Sequence, residues 1–243
     1  MIGKLTSEHV NAGFVFFCDH ATNYVPPELA NLGLQPAELE RHIAWDIGAA
    51  GVTMTLSEIF DAPAVFSAVS RLVIDCNRHT DAAALIPEVS DGTVIPGNLR
   101  LSAADRVSRI ARWFDPYHDA IEAVLRERRA ITVSIHSMTP FLAGVARPWQ
   151  IAVSSWRDRS LADPLLAALR APGDVVVGDN EPYDLDPDVD YSTPYHALRR
   201  GSPHLQIEFR QDEVSDEAGQ WRWARRLADA LITSQKLAAR SEG

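Results

Sequence analysis

Residues 70–80 read SRLVIDCNRHT, in which a short apolar run changes abruptly into polar side chains. The run at 72–74 is typical of a strand that is buried on both faces. Because ligands of open α/β sheets bind beyond the carboxyl ends of the strands, the polar residues that follow predict a site for a small anionic molecule. Arg78 could hold a carboxylate through two parallel hydrogen bonds, and Asn77 could add a third donor. The stretch also fits a buried Asp75–Arg78 ion pair that only ends the strand.

Length and charge restrict the class of protein. The 243 residues fit one domain over 1–243, with a core from about 12 to 230, that needs no disulfide or structural metal to fold. Twenty-three basic and 33 acidic residues give a net charge of −10, which argues against binding to nucleic acid or an anionic membrane. Cys18 and Cys76 are expected to be reduced and buried. No membrane-spanning apolar run or N-terminal targeting pattern occurs in the sequence, so we expect a cytoplasmic protein.

Predicted strands and helices alternate along the chain. The strands are expected at 13–18, 64–69, 72–76, 131–135, 150–154, 174–177 and 205–209. The helices are expected at about 36–54, at 102–129 with a capping box of Ser102 and Asp105 at its start and a break or kink at Pro116, at 161–169 and at 217–239. This alternation predicts an α/β fold, a single domain with a mostly parallel, mixed and twisted sheet and helices on both faces. Residues 86–101 predict a long ordered loop of the kind that covers a site.

Four of these strands end in polar residues that can carry chemistry. They are Asp19-His20, Asp75 to Arg78, His136-Ser137, and Glu208 with Arg210. Parallel strands present such ends along one edge of a sheet, so groups that are distant in sequence can meet there. Two histidines and a carboxylate around one open position form the zinc site of many hydrolases. His20 and His136 are therefore the candidate imidazole ligands, and an ordinary core or surface histidine is the alternative for each.

Eight short motifs, in order from about residue 12 to residue 230, carry a resemblance to a known family. They are CDHATNYVPP (18–27), HIAWDIGA (42–49), SRLVIDCNR (70–78), PYH (116–118), SIHSMTP (134–140), RPW (147–149), GDNEPY (178–183) and IEFRQD (207–212). Together they resemble the N-formylglutamate amidohydrolase family. That family is similar to zinc carboxypeptidases and aspartoacylase-type deacylases, which implies a zinc-carboxypeptidase-like fold.

The resemblance implies a metal-dependent amidohydrolase that cleaves N-formyl-L-glutamate to formate and L-glutamate, with a role in histidine degradation. It implies Zn²⁺, or another divalent metal, as the cofactor and a small anionic molecule as the substrate. Matched motif to motif, Asn77 and Arg78 anchor a substrate carboxylate, which gives Arg78 a catalytic role as well. By the same match His136 completes the metal site and Glu208 is the general base.

The sequence departs from the pattern of these relatives at one position. Carboxypeptidases take two ligands from His-x-x-Glu, whereas His20 is followed three residues later by Asn23, whose neutral amide is a poor zinc ligand. The carboxylate must then come from elsewhere. Asp46 is the first choice, because its predicted helix should pack beside the first strand, and Asp19 is the next. The predicted metal ligands are His20, Asp46 and His136.

Other side chains are candidates for the rest of the pocket. The residues expected to bind a second carboxylate, stabilise the oxyanion or cap the pocket are Arg71, Arg147, Arg210 and Tyr183. Three histidines could orient ligands or substrate, with local hydrogen bonds as the alternative, and these are His42, His118 and His196.

Two patterns are given no functional role. The alternating aspartates at 184–190 lack the glycine and glutamate of a calcium loop and predict a solvated loop. Ser137 lacks the flanking glycines of a nucleophile elbow.

Two other functions also fit the sequence. One is a related zinc deacylase or carboxypeptidase-like hydrolase with another acyl group. The other is a protein that binds a small carboxylate without turnover. The two histidines together with Glu208 favour an enzyme, because a protein that only binds has no need of a base.

Overall fold

A six-stranded sheet forms the centre of the computed structural model, which describes residues 13–126 and 130–241, with side chains as far as 234. In chain order the strands are β1 (Gly13–Cys18), β2 (Ala64–Phe66), β3 (Val89–Ser90), β4 (Thr93–Val94), β5 (Ala130–Met138), β6 (Phe141–Leu142), β7 (Val145–Ala146), β8 (Ile151–Ser154), β9 (Val177–Asp179) and β10 (His204–Arg210). The α-helices are α1 (Pro36–Leu39), α2 (Ala49–Phe60), α3 (Ala103–Arg109), α4 (Asp115–Arg126), α5 (Ala162–Arg170), α6 (Ser192–His196) and α7 (Glu217–Ser241).

The strand order in the sheet is β2-β1-β5-β10-β8-β9. The first four strands are parallel, β8 runs antiparallel to β10, and β9 is parallel to β8. This confirms the predicted α/β fold with a mostly parallel, mixed sheet. The two other strand pairs, β3–β4 and β6–β7, are separate hairpins.

Alternating side chains of β1 pack against helices on opposite faces of the sheet, because successive residues of a strand point to opposite sides. Phe14 and Phe16 belong to the large cluster that includes buried residues of α2, α5 and α7. Val15 and Phe17 belong to a second cluster with residues of α4, among them Ile121. The helices therefore cover both faces, as predicted.

The stretch at 72–74 is not a strand, and this prediction was wrong. Its residues are fully buried but lie in a turn that Ser70 organises. The Ser70 hydroxyl donates to the carbonyl of Ala44 (2.7 Å) and accepts from the backbone N–H of Leu72 (3.1 Å). The N–H of Val73 donates to the Ser70 carbonyl (2.8 Å). Local side-chain hydrogen bonds of this kind compete with sheet pairing, so the apolar run packs into a core cluster of its own.

The predicted helix over 36–54 is two helices with turns between them, at 40–48. Gly48 has a φ of +82°, and a Cβ there would lie 2.1 Å from the carbonyl oxygen of Val214. The backbone N–H of Asp46 donates to the carbonyl of His20 (3.0 Å). The chain therefore leaves the helical path to dock against the end of β1, and Asp46 does not lie on a helix.

Three smaller predictions can be compared directly with the structure. The capping box of Ser102 and Asp105 at the start of α3 is present. Pro116 does not end this helix, which runs from α3 through a π-helical turn over Ile110–Phe114 into α4; the π-helical turn directly before Pro116 is a local departure from α-helical geometry. Residues 86–101 contain the β3–β4 hairpin instead of a plain loop. The predicted end of this helix, at 127–129, lies outside the described residues.

Candidate active site

A cavity of about 300 Å³ opens at the carboxyl ends of β1, β5 and β10. These three strands are adjacent and parallel, so their ends meet at one edge of the sheet. Among the side chains that line the cavity are His20, Asp46, Arg71, Asn77, Arg78, His136, Arg147, Tyr183 and Glu208. Of the residues predicted to bind substrate, Arg210 does not line it.

Two imidazoles converge on one carboxylate at the base of the cavity. The Oδ2 atom of Asp46 lies 3.3 Å from Nδ1 of His20 and 2.9 Å from Nδ1 of His136. Each of the three residues offers one ligand atom, and these atoms all lie within 4.8 Å of one another. All three residues are buried. Two nitrogens and a carboxylate oxygen at this spacing are a donor set that fits a divalent metal such as Zn²⁺.

Acidic residues hold the far side of each imidazole. Nε2 of His20 lies 2.8 Å from Oδ1 of Asp75, and Nε2 of His136 lies 3.1 Å from Oδ2 of Asp19. Metal-binding histidines commonly use their second nitrogen in this way, which fixes the orientation of the ring. Asp19, the second choice as a ligand, instead lies against Nε2 of His136, a predicted ligand.

The charges of this cluster stabilise one another. Burial lowers the pKa of both imidazoles, but the carboxylates that face His20 and His136 more than offset it, so that both pKa values are raised. Burial raises the pKa of Asp19, yet the hydrogen bond from His136 and the positive charges hold it at about 2. Burial also raises the pKa of Asp46, but the charges and hydrogen bonds of His20 and His136 outweigh it and hold this pKa well below its usual range. A cation that binds here must therefore replace protons on the imidazoles.

Glu208 lies beside His136 because the two residues are direct partners in the β5–β10 register. Its side chain is buried and lines the cavity. Burial, helped by the nearby carboxylate of Asp46, raises the pKa of Glu208 to about 7, although the protonated imidazole of His136 acts to lower it. A carboxyl group with a pKa near neutrality can both accept and return a proton at physiological pH.

Asn77 and Arg78 are joined to the loop before α6. The Asn77 side-chain oxygen accepts hydrogen bonds from the backbone N–H groups of Tyr191 (3.0 Å) and Ser192 (2.9 Å). Asp190 accepts from the amide of Asn77 (3.0 Å) and from Nη1 of Arg78 (3.1 Å). Asn77 therefore acts largely as a clamp within the protein, and Arg78 already faces one carboxylate.

The three other candidate arginines have different partners. Arg71 donates to Asp75 (2.7 Å), which rules out the alternative in which Asp75 pairs with Arg78. Arg210 donates to Asp212 (2.7 Å) outside the cavity. Arg147 donates to the phenol oxygen of Tyr183 (2.5 Å), and its guanidinium carbon lies 4.9 Å from the centre of that ring.

Two of the three additional histidines form a buried pair behind the site. Nδ1 of His118 lies 2.8 Å from Nε2 of His196, and Nε2 of His118 lies 3.0 Å from the carbonyl of Cys76. Nδ1 of His196 lies 2.9 Å from Glu122. His42 instead lines the cavity itself.

Sequence reasoning missed Asp190, which it assigned to a solvated loop. The side chain is buried against Asn77 and Arg78, and burial raises its pKa. No local pattern marks this contact, since the partners are more than a hundred positions apart in the chain. Asp75 gave a clearer signal, because it stands two residues before Asn77 in a stretch already identified as a site.

The sequence model of the N-formylglutamate amidohydrolase family matches residues 12–214. The chain belongs to this family. Its structure is similar to the crystal structure of gene product Atu2144 from Agrobacterium tumefaciens, with a TM-score of 0.89, 33% identity, and 93% of this chain and 91% of that chain covered.

A second solved structure shares the fold of the family at lower identity. It is the N-formylglutamate amidohydrolase from Ralstonia eutropha JMP134, with a TM-score of 0.59, 17% identity, and 94% of this chain and 93% of that chain covered. No curated protein matches the chain in sequence. Family membership indicates a hydrolase that acts on an amide bond. Within the described residues no helix is long and apolar enough to span a membrane.

Proposed function

We propose that this protein is a divalent-metal amidohydrolase that cleaves an N-acyl acidic amino acid, most simply N-formyl-L-glutamate, to formate and L-glutamate. The observation that carries the proposal is the convergence of His20, Asp46 and His136 in one cavity with Glu208. Family membership and the name of the Ralstonia relative support the substrate. The position of Glu208 favours hydrolysis over simple binding, because a protein that only holds an anion has no use for a buried base.

His20, Asp46 and His136 would hold the metal, and their nitrogen and oxygen donors suit Zn²⁺. A divalent cation at this position supplies a Lewis acid that polarises the amide carbonyl and makes water more acidic. Asp75 and Asp19 fix the two imidazoles from behind, so that each Nδ1 faces Asp46. The chain thereby prepares the donor set before any cation arrives.

Glu208 is the proposed general base. It takes a proton from the attacking water and delivers it to the nitrogen of the departing amino acid. Its raised pKa, about 7, suits both transfers.

Arg78 is the proposed anchor for the α-carboxylate of the substrate. Its Nη1 is engaged by Asp190, and within the described part of the chain its Nε and Nη2 atoms donate no other hydrogen bond. A planar guanidinium with two such donors can bind a carboxylate in a fixed orientation. Asn77 keeps Arg78 in place through its contacts with the 190–192 loop.

Replacement of the proposed base tests this function. In the Zn²⁺-loaded protein, Glu208→Gln is expected to reduce formate release from N-formyl-L-glutamate on the order of 10²- to 10⁴-fold, because the amide cannot accept the proton. Zn²⁺ content should stay unchanged, since Glu208 is not a proposed ligand. Glu58→Gln, on the exposed surface of α2, is the matched control and should keep full activity. A fully active Glu208→Gln protein would contradict the proposal.

A further inference from the structure

Arg147 is a buried cation that lines the cavity and has no acidic partner among the described residues. Its residue exposure is 7%. The other arginines considered for the site each form an ion pair, Arg71 with Asp75, Arg78 with Asp190, and Arg210 with Asp212. The described contacts of the Arg147 guanidinium are instead with a neutral phenol and an aromatic ring, both from Tyr183.

The backbone of Arg147 is held firmly in this position. Its N–H donates to the carbonyl of Pro140 (2.8 Å), and its own carbonyl accepts from Nη1 of Arg210 (3.2 Å). Arg210 also donates to the carbonyl of Pro148 (3.2 Å), while Asp212 balances its charge. Arg210 therefore supports the segment that carries Arg147, although it does not line the cavity itself.

A charge that is buried without a counter-ion destabilises a protein unless something else compensates it. Stacking on Tyr183 offsets part of this cost, since an aromatic face attracts a guanidinium. An anionic ligand in the cavity would offset the rest. Arg71 and Arg78 also line the cavity, but Asp75 and Asp190 already balance part of their charges.

We propose that Arg147 and Tyr183 form a subsite that binds the side-chain carboxylate of the N-acyl amino acid. Arg147 supplies the charge, and Tyr183 fixes the guanidinium plane through its ring and its hydroxyl. The subsite makes the protein select acidic over neutral N-acyl amino acids. This inference rests on the proposed function and assigns the residue that determines its specificity.

A pair of isosteric substrates tests the subsite. N-formyl-L-glutamate and N-formyl-L-glutamine differ only in a carboxylate and an amide. We expect the wild-type protein to favour the glutamate compound by roughly 10²- to 10³-fold in kcat/KM. Arg147→Gln should remove most of this preference by lowering kcat/KM for N-formyl-L-glutamate, with little change for N-formyl-L-glutamine. Tyr183→Phe keeps the ring but loses the hydroxyl, so it should act in the same direction by about 3- to 10-fold.

The control is Arg199→Gln, which removes an exposed guanidinium stacked 4.6 Å from the ring of Tyr195, outside the cavity. It should leave both kcat/KM values unchanged. Melting temperature and Zn²⁺ content establish whether each variant is folded. If Arg147→Gln does not fold, Arg147→Lys is used instead. It keeps the positive charge but lacks the planar guanidinium, so it should lose part of the preference for N-formyl-L-glutamate.

Equal losses on both substrates would overturn the subsite, since they would indicate a structural role or contact with the oxyanion. A wild-type protein without a preference would overturn it as well. If neither substrate is hydrolysed, the proposed function fails, and the subsite is tested alone by calorimetric binding of L-glutamate and L-glutamine. Preferential binding of L-glutamate that Arg147→Gln abolishes would then support the subsite, and equal binding of both would refute it.

Discussion

At the scale of single residues, the proposed metal centre depends on how the two imidazoles are held. Each ring has a carboxylate at both nitrogens: Asp46 faces the two Nδ1 atoms, and Asp75 and Asp19 face the two Nε2 atoms. The outer carboxylates fix the rings and raise their basicity, which strengthens binding of a cation. The affinity of the site for a cation is therefore expected to depend on Asp75 and Asp19 as well as on the three proposed ligands.

Loss of an outer carboxylate should weaken metal binding. Asp75→Asn keeps the shape of the side chain but removes the charge 2.8 Å from Nε2 of His20. We expect the Kd for Zn²⁺, measured by competition with a chelator, to rise about 10- to 100-fold. Asp174→Asn, which removes a surface ion pair with Arg226, should leave the Kd unchanged. An unaltered Kd in Asp75→Asn would mean that this contact does not support the metal.

Zn²⁺ binding should release protons. The pKa values of His20 and His136 are raised above the ordinary 6.5, so at pH 6.5 both metal-free imidazoles are mainly protonated. A cation needs the free nitrogen, so the affinity for Zn²⁺ should rise with pH until the raised pKa values are passed. Calorimetry at pH 6.5 in buffers of different ionisation enthalpy should show about one to two protons released per ion. A binding enthalpy that is independent of the buffer would contradict this prediction.

At the scale of elements, the turn around Ser70 positions Asp75, Asn77 and Arg78. The Ser70 hydroxyl connects this turn to the carbonyl of Ala44, two residues before Asp46. One buried side chain thus joins the segment that holds a proposed metal ligand to the segment that holds the proposed substrate anchor.

Removal of this hydroxyl should destabilise the protein. Ser70→Ala leaves the buried carbonyl of Ala44 without this donor and the N–H of Leu72 without this acceptor. We expect the free energy of unfolding in urea to fall by about 1–3 kcal/mol. Ser108→Ala, at an exposed position of α3, is the control and should change it by less than about 0.5 kcal/mol. A Ser70→Ala protein as stable as this control would show that the turn does not depend on Ser70.

The elements also show where sequence reasoning succeeds. Strands β1, β5 and β10 were predictable because their apolar runs are flanked by polar ends and pair within one sheet. The run at 72–74 is also apolar but has no sheet partner. Side chains bond to its backbone instead: Ser70 accepts from the N–H of Leu72, and Asn98 and Arg109 donate to the carbonyls of Leu72 and Val73. The interruption at 40–48 could not be predicted either. Its cause is a close approach of Gly48 to Val214, which lies far away in the sequence.

At the scale of the whole molecule, the order of three strands explains the site. His20, His136 and Glu208 come from neighbouring parallel strands, so a correct sheet order brings them together whatever their separation in sequence. This part of the site was predictable from strand ends. Asp190 was not, because loops at the rim choose their partners by tertiary packing and leave no periodic signal in the sequence.

Under the proposed function, a divalent cation held by His20, Asp46 and His136 is required for hydrolysis of an amide. The most direct measurement is a titration of metal-stripped protein with Zn²⁺, followed by formate release from N-formyl-L-glutamate. Activity should be absent at the start, rise in proportion to added Zn²⁺ and level off at about one ion per chain. His136→Ala should show no such rise. Full activity in the stripped protein would mean that hydrolysis does not require the cation.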